Sequence, residues 1–393
     1  NKAARRLAAR LSSARVVSLN WGPWEGGMVT PALQAEFERR GVALIPMVAG
    51  GACVADELAD ASDGSIEVVL GASFEMPGFG ADGQGGAERP DSAGERKASD
   101  VEMHLAFEHS LDLESHPFLR SHVLDGRPVL PVAMMMEWMA HAAMHLNPGL
   151  RFQGMDELRI LKGVIHNGSS RPIRFYVGRP RRSGEVYDVD VSVRSAGYGG
   201  AEAPHARANV VLTSRRGTAP AVEIPGDLPA RPYERGVVGA YRDVLFHGDV
   251  FRGIRRVHGY SGKGMVAEAE TAGKPVEWMT DPLRSDWLGD PLAIDSAFQV
   301  AILWCHEEMG AVSLPSYLGR YRQYCDRFPD DGVTVALQVR RREPHRITGD
   351  FTFMSSAGAV VARMEGYECT VDAGLRAAFR SEGIAKKRMA NGE

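Results

Sequence analysis

The chain has 393 residues, of which 44% are hydrophobic and 24% are charged, enough for two or three domains. Its formal net charge of −4 gives no reason to expect nucleic-acid binding. No apolar run reaches the length of a membrane span, and the first residues lack the apolar core of a signal peptide. The four cysteines lie far apart without a CxxC pair, so we expect reduced thiols and a cytoplasmic protein.

Residues 1–75 have the pattern of the last part of an α/β domain. After a helical opening segment, the apolar stretch "ARVVSLNWGPW" predicts a strand that ends in a turn. Two helices are predicted next, over 30–41 and 47–61, and a second strand over 65–73. Because the opening helix has no preceding strand or cap, we expect the chain to begin inside a domain of a longer polypeptide.

Residues 76–100 are rich in Gly, Ala, Pro and charge, which predicts a linker. The remaining pattern is mostly strands with two long apolar helices, one after Pro131 and one over 290–310. Each helix is followed by four strand-like segments, so we expect an α+β fold of two equivalent units, in which each sheet wraps its own helix. The units are predicted over 101–230 and 231–375.

A histidine, a glycine and a proline precede the first helix in "HVLDGRPVLP". Histidine is the side chain best suited to proton transfer near neutral pH, which makes His122 a candidate base. Gly126 can adopt a positive φ or allow a substrate to approach the backbone. Pro131 fits the first turn of a helix, where its missing N–H costs nothing. On this segment alone, a structural histidine in a loop explains the pattern equally well.

The second helix carries an aspartate and a glutamine on one face. Asp295 and Gln299 are four residues apart in "AIDSAFQVAILW", among almost entirely apolar neighbours. Burial raises the pKa of a carboxyl group and makes it a candidate general acid. An internally satisfied polar pair is the alternative for this stretch. A base and an acid that face each other suit removal of a proton next to a carbonyl and protonation of a departing β-hydroxyl.

Several segments resemble polyketide synthase dehydratase domains. Residues 115–143 are similar to the HxxxGxxxxP region of that family, and "FHGDVFRGI" is similar to its YGPxFxGI element. "DPLAIDSAFQ" resembles the second catalytic helix with its DxxxQ/H motif, and "SLPSYLGRYR" resembles the strand that follows. These elements occur in the family's order over about 101–372. The resemblance implies a double hotdog fold, with two helices each wrapped by an antiparallel sheet.

The resemblance also implies roles for particular residues. His122 would be the base, Asp295 the acid and Gln299 a helper that orients Asp295 or the leaving water. Contacts with the substrate are implied for five residues of the two loop motifs: Gly126, Pro131, Phe246, Gly248 and Phe251. A helix N-terminus behind Gly126 could hold the developing negative charge of the carbonyl oxygen.

The chain departs from the family's pattern at two places. Asp290-Pro291 stands where the family usually has His-Pro, and His247-Gly248-Asp249 stands where it usually has Tyr-Gly-Pro. We expect both departures to reshape the pocket without touching the acid–base pair. His141 and His145 have the spacing of a metal pair, but no third acidic ligand stands out nearby, so we read them as a helix face and predict no metal.

The implied reaction is dehydration of a 3-hydroxyacyl chain to a 2,3-enoyl thioester. The chain would be carried on the phosphopantetheine of an acyl carrier protein, within a multidomain polyketide or fatty acid synthase. No metal or redox cofactor is implied. The expected partners are the carrier protein and neighbouring synthase domains, with a homodimer as a further candidate. A product-template cyclase and a catalytically silent structural domain are the two rival interpretations.

The N-terminal stretch "SLNWGPWEGGMVTPALQ" resembles the end of a ketoreductase domain. The glycine-rich turn and catalytic tyrosine of such domains lie upstream of this element, so we expect residues 1–75 to be a remnant without NADPH binding. Their lengthened form is most similar to iterative polyunsaturated fatty acid or enediyne synthases. Residues 376–393 are predicted to be a C-terminal linker.

Overall fold

The computed structural model describes most of the chain after residue 102 and short parts before it. The described ranges are 16–21, 34, 44–45, 51, 54, 67–70, 103–166, 168, 172–196 and 202–380. The chain divides into two compact units, Asn1–Glu95 and Arg96–Glu393, and this division falls inside the segment predicted as a linker. Among the helices of these ranges, none combines the length and the apolar character needed to cross a membrane.

The smaller unit contains two short parallel strands. β1 (Ser18–Trp21) pairs with β2 (Glu67–Leu70), with Ser18 opposite Glu67. Both strands lie within the segments predicted as strands, and parallel pairing is typical of an α/β arrangement. Most of the two predicted helices, and the opening segment 1–13, lie outside the described residues. The ketoreductase remnant and the absence of NADPH binding therefore stay predictions.

The larger unit is built on one long antiparallel sheet. Its strands are β3 (His104–Ser110), β6 (Arg151–Ile160), β7 (Pro172–Val177), β8 (Arg181–Ser183), β9 (Val186–Ala196), β10 (Glu202–Thr213), β11 (Ile254–Ser261), β12 (Gly264–Ala269), β13 (Val312–Gln323), β14 (Val333–Glu343), β15 (Arg346–Met354) and β16 (Val360–Asp372). A separate hairpin is formed by β4 (Val123–Leu124) and β5 (Arg127–Pro128). The described helices of this unit are α1 (Val132–His145), α2 (Gly236–Asp243), α3 (Pro291–Met309) and α4 (Leu375–Arg380).

The strand order shows two equivalent halves. It runs β11-β12-β14-β15-β16-β13-β6-β10-β9-β7-β3, and β8 pairs with β9. Strands β3, β6, β7, β9 and β10 contact α1, whereas β11 to β14 contact α3. The halves join where β13 pairs with β6, with Leu318 opposite Leu158. The α+β double hotdog is thus confirmed, with one difference: the two helices are wrapped by halves of one continuous sheet.

The two central helices are buried because they are apolar on nearly all sides. Both tryptophans of these helices, Trp138 in α1 and Trp304 in α3, are almost fully buried. The strands have a single apolar face toward them, as the alternating burial along β7 and β15 shows. The helices also contact each other. This packing places the beginning of α3 next to the segment that precedes α1.

The ends of α3 follow ordinary capping chemistry. The Asp290 carboxylate accepts a hydrogen bond from the backbone N–H of Ala293 at 2.8 Å, and Pro291 occupies the first turn. At the other end Gly310 has a left-handed conformation with a φ of 65°. The helix therefore begins and ends close to the boundaries predicted from sequence. The cap holds the first turn of α3 in place, and Asp295 lies in the turn that follows.

Three predicted segments differ from the structure. The first strand-like segment predicted after α1 is "DELRILKGVIHN", residues 156–167, whereas the strand begins at Arg151 and ends at Ile160. Residues 161–166 leave the sheet, and Leu130 N–H donates to Val164 O at 2.9 Å. Pro131 is the N-cap of α1 and lies just before the helix. Residues 376–380 of the predicted C-terminal linker belong to α4, where Phe379 is buried and packs against Phe246.

Candidate active site

A short hairpin positions the candidate base. Asp125 and Gly126 form its two-residue turn with φ values of 50° and 69°, a conformation that favours glycine. The turn sets the register of β4 and β5, in which Val123 lies opposite Pro128. His122 and Val129 are the next pair outward, and Val129 N–H donates to His122 O at 2.9 Å. The spacing of histidine and glycine in the motif therefore reflects the geometry of this hairpin.

The hairpin also fixes which nitrogen of His122 is basic. His122 Nδ1 lies 2.8 Å from the carbonyl oxygen of Val129. Because a carbonyl can only accept, Nδ1 carries the proton and donates, and Nε2 is left with its lone pair. The ring is packed edge-on against Phe246 and Phe251, with centroid distances of 4.9 and 5.6 Å. Burial lowers the pKa of His122 to about 4, so the imidazole is neutral at pH 7.

The "FHGDVFRGI" segment crosses the His122 segment at very close range. Gly248 N–H donates to Ser121 O at 2.8 Å, and a Cβ at Gly248 would lie 2.9 Å from Ser121 Cα. His122 and His247 form a β-bridge at this crossing. A Cβ at Gly253 would likewise lie 2.3 Å from Ser296 Oγ of α3. The two glycines of the motif are therefore required by close packing, which brings His247 next to both His122 and α3.

Asp295 is the candidate acid and lies in the second turn of α3. The residue is only 3% exposed, and burial raises its pKa to about 7. Gln299 Nε2 donates to Asp295 Oδ2 at 2.8 Å, in the i,i+4 geometry predicted from sequence. Both contacts of this carboxyl group, from Gln299 and from His247, are made at Oδ2. Oδ1 is therefore the oxygen that remains for a substrate.

A chain of hydrogen bonds fixes the orientation of Gln299. The backbone N–H of Ile254 donates to the Tyr241 hydroxyl at 2.9 Å, so this oxygen accepts and its own proton goes to Gln299 Oε1 at 2.8 Å. The amide nitrogen of Gln299 must then face Asp295 and the carbonyl of Phe251, at 2.8 and 2.7 Å. Gln299 is thus locked as a donor to the carboxyl group. Tyr241, which the sequence did not single out, is the residue that locks it.

His247 contacts the acid, contrary to the expectation from sequence. His247 Nε2 lies 3.3 Å from Asp295 Oδ2. We expected the departure from the family's tyrosine to leave the acid–base pair untouched, and this prediction is wrong because the Gly248 crossing points the imidazole at α3. Burial and the neighbouring His122 hold the pKa of His247 well below its usual range. The sequence contained a signal for this contact, because it has histidine at residue 247 where the family usually has tyrosine.

The three buried side chains form one compact cluster. The candidate ligand atoms of His122, His247 and Asp295 all lie within 4.8 Å of one another. The side chains come from both halves of the double hotdog, two from loops and one from α3. With His122 neutral and Asp295 protonated below pH 7, the cluster offers a base and an acid at the same time.

The predicted substrate contacts fall into two groups. Phe246 and Phe251 pack against the His122 ring and form the apolar wall of the site. The other three residues act through the backbone. Gly126 forms the hairpin turn, Pro131 precedes α1, and Gly248 allows the close crossing at Ser121. Substrate contacts for these five residues stay predictions. His141 and His145 have ring centroids 5.9 Å apart and lie away from the cluster on the C-terminal part of α1.

A cationic groove reaches His247, one of the three residues of the cluster. It has a volume of about 380 Å³, and its lining includes Tyr241, Phe246 and His247. Five arginines also line it: Arg120, Arg242, Arg252, Arg376 and Arg380. Arg242 and Arg252 pair with Asp243 and Asp249. Arg120 and Arg380 are exposed and have no carboxylate partner among the described residues, so the groove presents positive charge to solvent.

Comparison with known protein families shows which family this chain belongs to. The family described as polyketide synthase dehydratase domain matches residues 95–194, and that described as polyketide synthase dehydratase N-terminal domain matches residues 219–373. The chain belongs to the polyketide synthase dehydratase family. The two matches contain all three side chains of the cluster, and they cover both halves of the double hotdog.

Individual proteins are similar to this dehydratase domain in sequence or in fold. One subunit of the polyunsaturated fatty acid synthase from Thraustochytrium sp. is 27% identical over 353 residues, which are 88% of this chain and 12% of the relative. The chain thus spans about an eighth of that protein. The dehydratase domain from the CurF module of curacin polyketide synthase superposes with a TM-score of 0.56 at 18% identity, covering 71% of this chain and 96% of the domain. An inactive CurK dehydratase with an aspartate-to-asparagine substitution has a TM-score of 0.54 at 15% identity, covering 72% and 96%.

Proposed function

We propose that this domain removes water from a 3-hydroxyacyl thioester carried on an acyl carrier protein and forms the 2,3-enoyl thioester. The observation that carries the proposal is the pairing of a neutral His122, with Nε2 free, and a buried Asp295 whose pKa is raised. These groups lie within 4.8 Å of each other, close enough to act on neighbouring carbons of one substrate. The inactivity of the CurK aspartate variant supports a need for an aspartate in this family.

The proposed reaction uses one proton transfer at each side chain. His122 Nε2 takes the proton from C2, the C2–C3 double bond forms, and the C3–O bond breaks. Asp295 donates its proton to the departing hydroxyl, which leaves as water. His122 is then protonated and Asp295 ionised, and transfer of one proton back restores the starting state. Gln299 and His247 hold Asp295 Oδ2, so that Oδ1 faces the hydroxyl.

The order of the two pKa values favours this assignment. The base has a pKa of about 4 and the acid a pKa of about 7, so the neutral histidine and the protonated aspartate are both the majority forms between these values. The thioester carbonyl next to C2 would accept from the N-terminus of α1, where developing charge is stabilised by free N–H groups. Apolar walls at Phe246 and Phe251 would exclude water from the reacting carbons.

The synthase context is also part of the proposal. The relative from Thraustochytrium sp. belongs to a polyunsaturated fatty acid synthase, which supports an acyl chain as substrate and neighbouring synthase domains as partners. The test is to incubate the purified protein with a 3-hydroxyacyl N-acetylcysteamine thioester and follow formation of the conjugated enoyl thioester by absorbance and mass. We expect loss of one water. An aromatic product from a poly-β-keto chain would instead indicate a cyclase, and no turnover of any acyl thioester would indicate a silent domain.

The cationic groove predicts how the carrier protein is recognised. The phosphate of phosphopantetheine and an acidic carrier surface would both be attracted to Arg120 and Arg380. Replacing both with Ala is expected to raise KM for a carrier-bound substrate about tenfold, because charge-assisted contacts are lost. KM for the N-acetylcysteamine thioester, which has no phosphate, should change little.

A matched control for this prediction is Arg256→Ala. Arg256 is an exposed arginine of β11 that does not line the groove. It should leave both KM values as in the wild type. An equal increase in KM for both substrates in the Arg120→Ala, Arg380→Ala variant would contradict a role in carrier recognition, since the loss would then concern the acyl chain itself.

A further inference from the structure

We propose that His122, His247 and Asp295 form a binding site for one Zn²⁺ ion, so that zinc blocks the dehydratase reversibly. Two imidazoles and one carboxylate are a common set of protein ligands for zinc in open sites, where water completes the coordination. The binding of zinc is argued from the cluster itself. Inhibition by zinc rests on the proposed function.

The separations between the side chains fit tetrahedral coordination. Zinc bonds of about 2.0–2.1 Å at tetrahedral angles place ligand atoms about 3.3–3.4 Å apart. His247 Nε2 and Asp295 Oδ2 are 3.3 Å apart, which already matches this spacing. All three candidate ligand atoms lie within 4.8 Å, so the widest separation has to close by up to about 1.5 Å to reach this spacing. The rings of Phe246 and Phe251 pack edge-on against His122, so this movement requires a small shift of apolar contacts.

The surroundings of His122 resemble those of a metal-bound histidine. Such histidines usually donate their second ring N–H to a carbonyl or carboxylate, which orients the ring and fixes the tautomer. His122 Nδ1 donates to Val129 O at 2.8 Å and leaves the Nε2 lone pair available for a metal. Asp295 is held in the same way by Gln299 at 2.8 Å. Two of the three ligands are therefore oriented in advance by partners outside the cluster.

His247 is the residue that makes the site specific to this chain. Its Nδ1 is buried and has no hydrogen-bond partner among the described residues, so Nε2 is the nitrogen that can bind. The sequence pattern of the family has tyrosine at this position, and a neutral phenol is a much poorer zinc ligand than an imidazole. A chain with tyrosine here would offer only His122 and Asp295. Zinc binding at this place is thus expected to depend on the departure at residue 247.

The test uses metal binding as its readout and does not require turnover. Protein freed of metal with a chelator is titrated with Co²⁺, whose visible absorption reports tetrahedral coordination, and Zn²⁺ is then added in competition. We expect one equivalent of Co²⁺ per chain and displacement by Zn²⁺. Losing a residue that only hydrogen-bonds a metal ligand lowers metal affinity by roughly 10–100-fold. His247→Tyr and Asp295→Asn remove ligands themselves, so each should lower the affinity for Co²⁺ by more than this. The isosteric Asp295→Asn variant keeps the test valid if His247→Tyr does not fold.

The matched control is the double variant His141→Ala, His145→Ala, which removes a neighbouring pair of histidines outside the cluster. It should bind Co²⁺ as the wild type does. Loss of binding in this control, or undiminished binding in both His247→Tyr and Asp295→Asn, would overturn the proposal, as would the absence of a tetrahedral spectrum in the wild type. A protein that binds Co²⁺ but converts no 3-hydroxyacyl thioester would contradict the proposed function and leave the metal site intact.

Discussion

Replacing His122 with Phe is expected to lower turnover of a 3-hydroxyacyl thioester by about 10²–10⁴-fold, the usual cost of losing a positioned general base. The ring already lies between Phe246 and Phe251, so a phenyl group fits the apolar surroundings. The fold should persist, because the hairpin is held mainly by backbone hydrogen bonds such as Val129 N–H to His122 O. Steady-state kinetics and a thermal melt on the same sample measure both effects.

Two further variants separate the loss of the base from a general loss of packing. His205 is another buried histidine, bonded to Ser195 Oγ at 2.7 Å in the sheet, and His205→Phe should keep turnover close to the wild type once folding is confirmed. His122→Ala leaves space in the site, and added imidazole should restore part of its activity. Near-normal turnover of His122→Phe would remove this histidine from the mechanism.

Replacing Asp295 with Asn is the second change with a large expected effect. Asn preserves the shape of the side chain and can still accept from Gln299, but it cannot donate a proton of comparable acidity. Turnover should therefore fall by about 10²–10⁴-fold. Asp290→Asn is the matched control, since Asp290 is also buried and burial raises its pKa to about 6. Its role is that of the N-cap of α3. Asn is also a good N-cap, so this control should keep most of the activity.

The stability of Asp295→Asn should depend on pH in a defined direction. The pKa of Asp295 is raised from 3.8 to about 7 in the folded protein by burial. A group of this kind favours the folded state at low pH, and that contribution is lost as the pH rises from about 4 to about 7. Asn carries no charge at any pH. The thermal midpoint of the variant relative to the wild type should therefore increase over this range. Activity close to the wild type in Asp295→Asn would mean that the carboxyl group only orients other groups.

Much of the double hotdog could be predicted from sequence because its strongest signals are local. The apolar helices α1 and α3 were expected at nearly their observed boundaries, and the proline, aspartate and glycine at their ends act as caps. The four strands after each helix were predicted from their apolar runs. The strands that were missed include β3, β11 and β12. β11 carries arginines and histidine along its exposed positions, and strand pairing over long sequence distances overrides such weak local preference.

In the site, contacts within one helix could be predicted from the sequence, whereas contacts between distant segments could not. Asp295 and Gln299 were paired from helical spacing, and the structure shows their hydrogen bond at 2.8 Å. The contacts of His247 could not be predicted from spacing, because they depend on Gly248 crossing Ser121, which lies in the other half of the double hotdog. Tyr241 orients Gln299 from a helix with no distinctive motif. Side chains that assemble from separate loops are visible only in the folded protein.

The pH dependence of kcat/KM for a 3-hydroxyacyl N-acetylcysteamine thioester tests the assignment of base and acid most directly. Between about pH 5 and pH 6 the value should be nearly constant, since His122, with a pKa of about 4, is neutral and Asp295, with a pKa of about 7, is mostly protonated. Above about pH 7 it should fall about tenfold per pH unit as Asp295 loses its proton. A value that rises with pH through 7 would mean that a group must lose its proton there before it can act, whether the Asp295 carboxyl or an imidazole, and would contradict the proposed protonation states of His122 and Asp295.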